Sequence, residues 1–269
     1  MTATRPHLRI EHPRDAVEVV TLDREDALNV LSPEVVEALL AYFEALPQRA
    51  DVRVIVFRSA GRHFCAGADL GSQAFADAGD GRTHRQDHIQ RRYARLIQMI
   101  RQCPQPVITL IQGAACGAGF SLALAGDVRY AAPDARMNAA YLRIGLGGCD
   151  MGSGYLLPRL VGLSVASELL LSGRFIDAAR AKAVGLVSDV VPHEQLLDTA
   201  LALADDMLTA SPLGLRMTKE SLNALIDAPS LETGLMIENR QQVMLTETED
   251  HQEAVAAFRE KRAPIYRNR

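Results

Sequence analysis

Residues 106–138, "PVITLIQGAACGAGFSLALAGDVRYAAPDARMN", predict the central element of the fold. The segment begins with an apolar run containing β-branched residues, which is typical of a buried strand. Small residues then crowd a turn, "GAACGAG", and the sequence continues as an apolar helix. The first N–H groups of a helix lack internal partners and lie at the positive end of its dipole. The turn is therefore suited to hold an anion or a developing oxyanion.

A second stretch upstream, residues 52–70, has a similar order. "VRVIVFRSA" predicts a buried strand, and "GRHFCAGADL" follows it as another turn rich in small residues. Taken alone, either turn is better explained by close packing of a strand against a helix. Neither turn matches the glycine patterns of the usual nucleotide-binding loops, which argues against binding of that kind.

The rest of the chain alternates strands and helices. Ser32 is a good N-cap and Pro33 fits the first position of the helix that follows. Residues 71–88 have no strong period and predict a mobile loop, and residues 89–102 predict an amphipathic helix. The last sixty or so residues read as helices without a strand partner, and they either cover the core or contact a neighbouring subunit. The rhythm as a whole predicts an α/β fold.

Composition excludes several classes of protein. The 269 residues carry a formal net charge of −4 and no long basic run, so nucleic acid is not an expected partner. No apolar stretch is long enough to span a membrane, and the polar N-terminus lacks a signal-peptide core. The cysteines form no C-x-x-C pair, which indicates neither a zinc site nor a disulfide framework; they are Cys65, Cys103, Cys116 and Cys149. These features predict a cytoplasmic protein.

Taken together with "LDREDALNVLSPEV", "LLPRLVG", "LLLSGRFIDAARAKAVGLVSDVVP" and "AVAAFREKRAP", the two stretches make the chain resemble the crotonase (enoyl-CoA hydratase/isomerase) superfamily. The resemblance implies an α/β spiral of ββα units over residues 1–205. It also implies a helical segment over 206–269 that covers the acyl pocket and helps to form a homotrimer or a dimer of trimers. The implied partner is an acyl-CoA thioester, with coenzyme A present only as part of the substrate, and no metal or separate cofactor.

The resemblance also assigns residues to the thioester site. It makes the backbone N–H groups of Ala68 and Ala118 the oxyanion hole, although the family often has glycine at the second position. Coenzyme A is expected along Ala27, Leu28, Ala66, Ala68, Asp69, Leu70 and Gly117, with Lys261 as a phosphate partner that could belong to the neighbouring subunit. Asp26 stands where the family often has a basic residue, which weakens a phosphate contact there.

Two glutamates that the ordinary hydratase uses as acid and base are absent. Their positions are occupied by Ser121 and Tyr141. A serine is not a general base without a carboxylate beside it, and a tyrosine with an ordinary pKa of about 10 is a reluctant base at neutral pH. We expect the Ser121 hydroxyl to bond to its own helix backbone. Tyr141 is either a wall of the acyl pocket or a hydroxyl donor to substrate or water.

Asp150, in "GCDMG", is the carboxylate that these motifs leave near the acyl end of the site. Several branches of the superfamily have a catalytic aspartate in this loop, so the resemblance implies an acid/base role. Its alternative role is to cap the helix that begins near Gly152. The base histidine of the dehalogenase branch has no counterpart, because Ala94 stands near that position. His84 and His88 are expected to be exposed in the mobile loop, and Cys149 to serve packing.

The sequence therefore supports three hypotheses. In the first, the protein is an enoyl-CoA hydratase or isomerase that uses Asp150 for proton transfer, with Tyr141 and Ser121 as further catalytic candidates. In the second, it is a non-catalytic acyl-CoA binder, because both glutamates are missing. In the third, it catalyses another crotonase reaction, such as dienoyl-CoA isomerisation, ring closure or thioester hydrolysis.

Overall fold

The computed structural model describes residues 3–5, 7–72 and 81–269. Its strands are β1 (Ala3–Arg5), β2 (Leu8–Arg14), β3 (Val17–Leu22), β4 (Val54–Ser59), β5 (Val107–Ile111), β6 (Ala114–Cys116), β7 (Val128–Ala131), β8 (Arg136–Asn138), β9 (Ile176–Asp177) and β10 (Asp189–Val190). Its α-helices are α1 (Pro33–Ala45), α2 (Arg82–Gln102), α3 (Ala118–Ala125), α4 (Ser153–Val161), α5 (Leu163–Ser172), α6 (Ala178–Ala183), α7 (Leu196–Leu208), α8 (Pro212–Leu225), α9 (Leu231–Thr246) and α10 (Glu249–Glu260). Short 3₁₀ turns cover Glu25–Ala27, Leu46–Gln48, Ala140–Ile144 and His193–Gln195.

The strands form two sheets. The larger sheet has the order β1-β2-β3-β4-β5-β7-β10 and the smaller one the order β6-β8-β9. From β3 to β10 the pairs of the larger sheet are parallel, and the N-terminal pairs β1–β2 and β2–β3 are antiparallel. The carboxyl ends of β4 and β5 therefore lie side by side, which is where ligands bind in sheets of this kind. The predicted α/β class is confirmed.

Both faces of the larger sheet are covered, which explains why its strands read as continuous apolar runs. Along β3, Val20 and Leu22 pack into the main core with α1. Their neighbours Val17 and Val19 point the other way, into a smaller core that includes Leu196 and other residues of α7. The Ser32 cap is also confirmed, because its hydroxyl accepts a hydrogen bond from the N–H of Val35 at 3.4 Å.

Helix α2 begins at Arg82, so the prediction of a mobile loop was wrong over residues 82–88. This part of the helix has exposed polar side chains and no apolar face that a sequence pattern could detect. An ion pair between Asp87 and Arg91 at 2.7 Å supports it along the helix surface. His84 and His88 are exposed, as predicted, but on a helix. The remainder of the predicted loop includes residues 73–80, which lie outside the described residues.

Helix α3 is held firmly at its carboxyl end. All eight of its residues are buried. The guanidinium of Arg129 donates to Leu124 O at 3.3 Å and to Gly126 O at 2.6 Å, so carbonyls left free by the helix are satisfied. Burial lowers the pKa of Arg129 to about 10, which still leaves the group charged at neutral pH.

Helix α8, in the C-terminal segment, folds back onto its own chain. The ammonium of Lys219, on α8, is buried and lies 2.8 Å from Asp127. It also donates to Gln105 O at 2.8 Å and to Ile100 O at 3.1 Å. Thus α8 covers the core of the same chain, one of the two placements that the sequence left open. None of the helices in the described part of the chain has the length and apolarity of a bilayer-crossing segment.

The Lys219 contacts lead to a test of stability. Lys219→Met should lower the free energy of unfolding by about 3 kcal/mol, because a buried ion pair loses one partner. Chemical denaturation followed by circular dichroism measures this change. The matched control is Lys182→Met, which removes an exposed pair with Asp189 and should change stability far less. Equal losses in the two variants would contradict a specific role for Lys219.

Candidate active site

The two turns of small residues lie against each other. Cys65 N–H donates to Ala114 O at 3.1 Å, and Cys116 N–H donates to Cys65 O at 2.9 Å. Gly119 makes this approach possible, since a Cβ there would lie 2.3 Å from Cys65 O. The turn after β4 is therefore fixed next to the start of α3.

Two peptide units at this junction have their carbonyls bonded and their N–H groups free. Gly67 O accepts from Leu31 N–H at 2.8 Å, and Gly117 O accepts from Ser121 N–H at 3.0 Å. The N–H groups on the other side of these trans peptides belong to Ala68 and Ala118, and neither donates a hydrogen bond within the described residues.

The two free donors are close in space. A Cβ placed on Gly67 would lie 3.9 Å from the nitrogen of Ala118. Gly67 and Gly117 both have positive φ, at 114° and 51°. Such backbone conformations favour glycine and set the direction of the following N–H. Paired N–H donors of this kind can stabilise an oxyanion.

The segments expected to follow coenzyme A also run together. Ala66 N–H donates to Leu28 O at 3.1 Å, and Asp69 N–H donates to Leu31 O at 3.0 Å. The sequence analysis did not single out Asn29, whose amide donates to Ala60 O at 2.8 Å and to His63 O at 2.9 Å and so fixes this loop. Ala27, Ala66, Ala68 and Asp69 are partly exposed, Leu28 and Leu70 are about half exposed, and Gly117 is buried.

Lys261 is not brought to these loops within the described chain. It is exposed at the end of α10 with a left-handed φ of 54°. No hydrogen bond or ion pair between described residues joins its side chain to the segments at 27–28 and 66–70. Its predicted role as a phosphate partner stays a prediction.

Ser121 and Tyr141, which occupy the glutamate positions, bond to each other. Their oxygens are 2.5 Å apart, and both side chains are buried. The Ser121 hydroxyl also lies 2.9 Å from Asp150 O, and the Tyr141 hydroxyl lies 2.7 Å from Gly117 O. The expectation that the Ser121 hydroxyl bonds to its own helix was wrong, because Tyr141 and the Asp150 carbonyl offer nearer partners from outside the helix.

Tyr141 is not suited to act as a base. Burial raises the pKa of its hydroxyl, and the negative charge of Asp150 raises it further, whereas the hydrogen bond from Ser121 lowers it. The net shift is upward, so the phenol stays protonated at neutral pH and acts as a hydrogen-bond donor.

One carboxylate oxygen of Asp150 is bonded within the described part of the chain, and the other is not. Its Oδ1 accepts from Met151 N–H at 2.7 Å and from the amide of Gln90, on α2. No described residue donates to Oδ2, which leaves that oxygen available. The capping alternative was wrong: α4 begins after Gly152 without a side-chain cap, and the Ser153 hydroxyl instead accepts from Asp150 N–H at 3.0 Å.

Gln90 is a site residue that the sequence analysis missed. It lies one helical turn before Ala94, the position already compared with a catalytic histidine of another branch, so helical spacing was the available signal.

The loop that carries Asp150 is fixed by close packing, since a Cβ on Gly148 would lie 1.9 Å from Leu170 O. Cys149, expected to serve packing, lies against Gly154 and is otherwise exposed.

A cavity of about 830 Å³ lies behind the Asp150 loop, between α2, α4 and α8. Gly152 stands at its edge, where a Cβ would lie 3.4 Å from the side chain of Ile97. Its walls are apolar near Leu156 and Leu160 and basic near Arg101 and Lys219. Among described residues, no cluster of three or more His, Cys, Asp and Glu side chains could hold a metal ion.

The chain is similar to known proteins along nearly its whole length. Residues 13–269 match the family model described as "Enoyl-CoA hydratase/isomerase". The chain is 38% identical over 261 residues to the "Probable enoyl-CoA hydratase EchA12" of Mycobacterium tuberculosis, covering 96% of this chain and 91% of that protein. It is 33% identical over 257 residues to the 1,2-epoxyphenylacetyl-CoA isomerase of Escherichia coli, covering 96% and 97%.

The fold is also shared with solved structures. The crystal structure of an enoyl-CoA hydratase from Bacillus anthracis superposes with a TM-score of 0.91 at 33% sequence identity, covering 98% of this chain and 100% of that one. The crotonase-like spiral expected from the motifs is therefore confirmed. The match to the family model and these similarities along nearly the whole length show that the chain belongs to the enoyl-CoA hydratase/isomerase family of the crotonase superfamily.

Proposed function

We propose that this protein binds the thioester of an acyl-CoA with its carbonyl oxygen between the N–H groups of Ala68 and Ala118. The observation that carries the proposal is the pair of free, adjacent donors whose own carbonyls are fixed. An enolate forms when a proton leaves the carbon chain next to a thioester. Its negative charge lies largely on the carbonyl oxygen of the thioester. Fixed donors there stabilise the transition state, and loss of one typically costs about 2.7–4 kcal/mol.

The proposed reaction is double-bond isomerisation with Asp150 as the group that moves the proton. Oδ2 takes a proton from the γ carbon of an α,β-enoyl thioester. The electron pair of that C–H bond enters the conjugated system, and the carbonyl oxygen becomes negative. Asp150 then returns the proton to the α carbon and regains its own charge. One carboxylate completes this cycle, whereas hydration must also activate a water molecule.

One observation favours isomerisation over hydration. Ser121 and Tyr141 are buried and bonded to each other, so neither offers a second carboxylate or a free base. Hydration stays the alternative, because relatives of this chain are named hydratases. Product analysis by mass spectrometry separates the two reactions, since hydration adds water and isomerisation does not change the mass.

A second candidate function is acyl-CoA binding without turnover. It is favoured by the hydrogen bonds that already occupy Oδ1 of Asp150 and by the loss of both glutamates.

In both candidates we place coenzyme A along Ala27, Leu28, Ala66, Asp69, Leu70 and Gly117, with Lys261 contacting a phosphate. We also propose a homotrimer or a dimer of trimers. Large apolar side chains exposed on α8 to α10 support association of subunits, among them Leu222, Leu231, Leu235, Val243, Met244 and Phe258.

Removal of a single donor tests the oxyanion hole. Ala118 is the first residue of α3, where proline is tolerated, so Ala118→Pro should keep the helix and lose the N–H. We expect kcat to fall about 10²- to 10³-fold. The control is Leu163→Pro, at the exposed start of α5, which also follows a glycine. A folded Ala118→Pro variant with full turnover would contradict the assignment.

Replacing the carboxylate separates enzyme from binder. Asp150→Asn should lower turnover of enoyl-CoA esters about 10²- to 10⁴-fold, because the amide cannot accept the proton. The Kd for the same esters, measured by calorimetry, should change little. Asp198→Asn, an exposed charge change on α7, serves as the control. Full activity in Asp150→Asn would reject the role of Asp150, and binding without turnover in the unmodified protein would support the binder.

A further inference from the structure

Ser121 and Tyr141, here called the hydroxyl pair, connect the two halves of the proposed site. On one side, the Tyr141 hydroxyl lies 2.7 Å from Gly117 O. On the other side, the Ser121 hydroxyl lies 2.9 Å from the backbone oxygen of Asp150. The hydroxyl oxygens are 2.5 Å apart, and the two residues are only 0% and 5% exposed, so solvent has little access to this chain of contacts.

The carbonyl that Tyr141 contacts belongs to the peptide that carries the oxyanion donor. Gly117 C=O and Ala118 N–H are two ends of one planar unit. Gly117 O receives a second hydrogen bond from Ser121 N–H at 3.0 Å. Donation to a peptide oxygen polarises the whole amide and strengthens the hydrogen bond that its N–H gives.

The pair has two protons for three contacts. In one arrangement, Ser121 donates to Tyr141 and Tyr141 donates to Gly117 O. In the other, Tyr141 donates to Ser121 and Ser121 donates to Asp150 O. Each proton stays on its own oxygen, and the arrangements interconvert by rotation of the two O–H bonds. Asp150 O keeps a bond from Ser153 N–H at 2.9 Å in both.

We infer that the hydroxyl pair positions and polarises the Gly117–Ala118 peptide, so that Tyr141 and Ser121 are positioning residues for the oxyanion hole and transfer no proton to the substrate. The inference rests on the proposed function, because it presupposes a thioester carbonyl at Ala118 N–H. As negative charge develops on the substrate oxygen, the hydrogen bond donated by Ala118 N–H becomes stronger. The peptide is then more polarised, and Gly117 O becomes a better acceptor. Donation from Tyr141 to Gly117 O is then the favoured arrangement.

The chemistry of the pair explains why it can replace two carboxylates. Two buried, adjacent carboxylates would repel each other and would lower the affinity of the site for an oxyanion. Two neutral hydroxyls add no negative charge beside the oxyanion. The site therefore lacks the acid and base of the hydratase but has a fixed, polarised donor in Ala118 N–H. Asp150 supplies the single base.

A spectroscopic probe tests the inference without turnover. A 4-aminocinnamoyl-CoA thioester absorbs at longer wavelength when its carbonyl is polarised, and the shift on binding to the full-length protein reports the strength of the oxyanion hole. Tyr141→Phe should give a smaller shift than the unmodified protein. Ser121→Ala should give a shift at least as large, since Tyr141 then has only Gly117 O to donate to.

Kinetics gives an independent readout. For a substrate that the protein turns over, Tyr141→Phe should lower kcat about tenfold and change KM less than about twofold, because the lost interaction matters most in the transition state. The matched control is Tyr42→Phe, which removes another buried hydroxyl, bonded at 2.6 Å to Glu18 and distant in the fold from the two turns. Tyr42→Phe should leave both the absorption shift and kcat unchanged.

The outcomes separate the inference from the proposed function. If the unmodified protein gives no absorption shift with any thioester, the proposed function fails. If it shifts the probe and a folded Tyr141→Phe variant shifts it equally, the inference fails and the proposed function stands. Should Tyr141→Phe not fold, Ser121→Ala decides the question: a smaller shift overturns the inference, and an equal or larger shift supports it.

Discussion

The fixed peptide units at Gly67–Ala68 and Gly117–Ala118 are the constraint on which the rest of the site depends. Each carbonyl is bonded within the protein, and each N–H is left without a partner in the described chain. A buried polar group without a partner is unfavourable by about 1–3 kcal/mol, so the Ala118 N–H, in a buried residue, is expected to be satisfied by water or by a ligand. The parallel pairing of β4 with β5 brings the two turns to one edge, and Gly119 allows them to touch.

The environment of α3 supports the same geometry from its far end. Arg129 satisfies the carbonyls of the last turn, and the helix is buried throughout, so its axis has little freedom to move. The buried guanidinium adds positive charge at the carboxyl end, where it interacts favourably with the helix dipole. A rigid helix that is satisfied at one end and open at the other presents Ala118 N–H in a fixed direction, which a preorganised oxyanion hole requires.

In the proposed reaction, proton transfer and charge stabilisation belong to different parts of the site. Asp150 is held through one oxygen by Gln90 and Met151, and its other oxygen is available. Ser121 and Tyr141 turn inward and contact the Asp150 loop and the Gly117–Ala118 peptide. These contacts connect the proposed base to the proposed oxyanion donor, which suits the transfer of one proton from the γ to the α carbon. The basic and apolar cavity behind the loop is a separate space, since its walls do not include Ala68, Ala118 or Asp150.

The sequence by itself determined the α/β class, the family and the two turns whose N–H groups we propose as oxyanion donors. These features are local: a strand, a run of small residues and a helix follow one another within a few residues, so their pattern is readable along the chain. Through the family resemblance it also predicted that both glutamates are absent and that Asp150 lies near the acyl end of the site. It failed over residues 82–88, where a helix with exposed polar side chains has no apolar period, and it did not single out Gln90 or Arg129.

The tertiary structure alone decided how these residues meet. Helix capping by Asp150 and a local bond for Ser121 were reasonable from sequence, because both residue types commonly bond to nearby backbone. In the fold, the Ser121 hydroxyl instead forms hydrogen-bond contacts with Tyr141 and the Asp150 carbonyl, which lie 20 and 29 residues away along the chain. Partners so distant in the chain leave no periodic signal. The physical reason is that a buried hydroxyl bonds to whichever polar atoms the packing places within about 3 Å, and packing is a property of the whole fold.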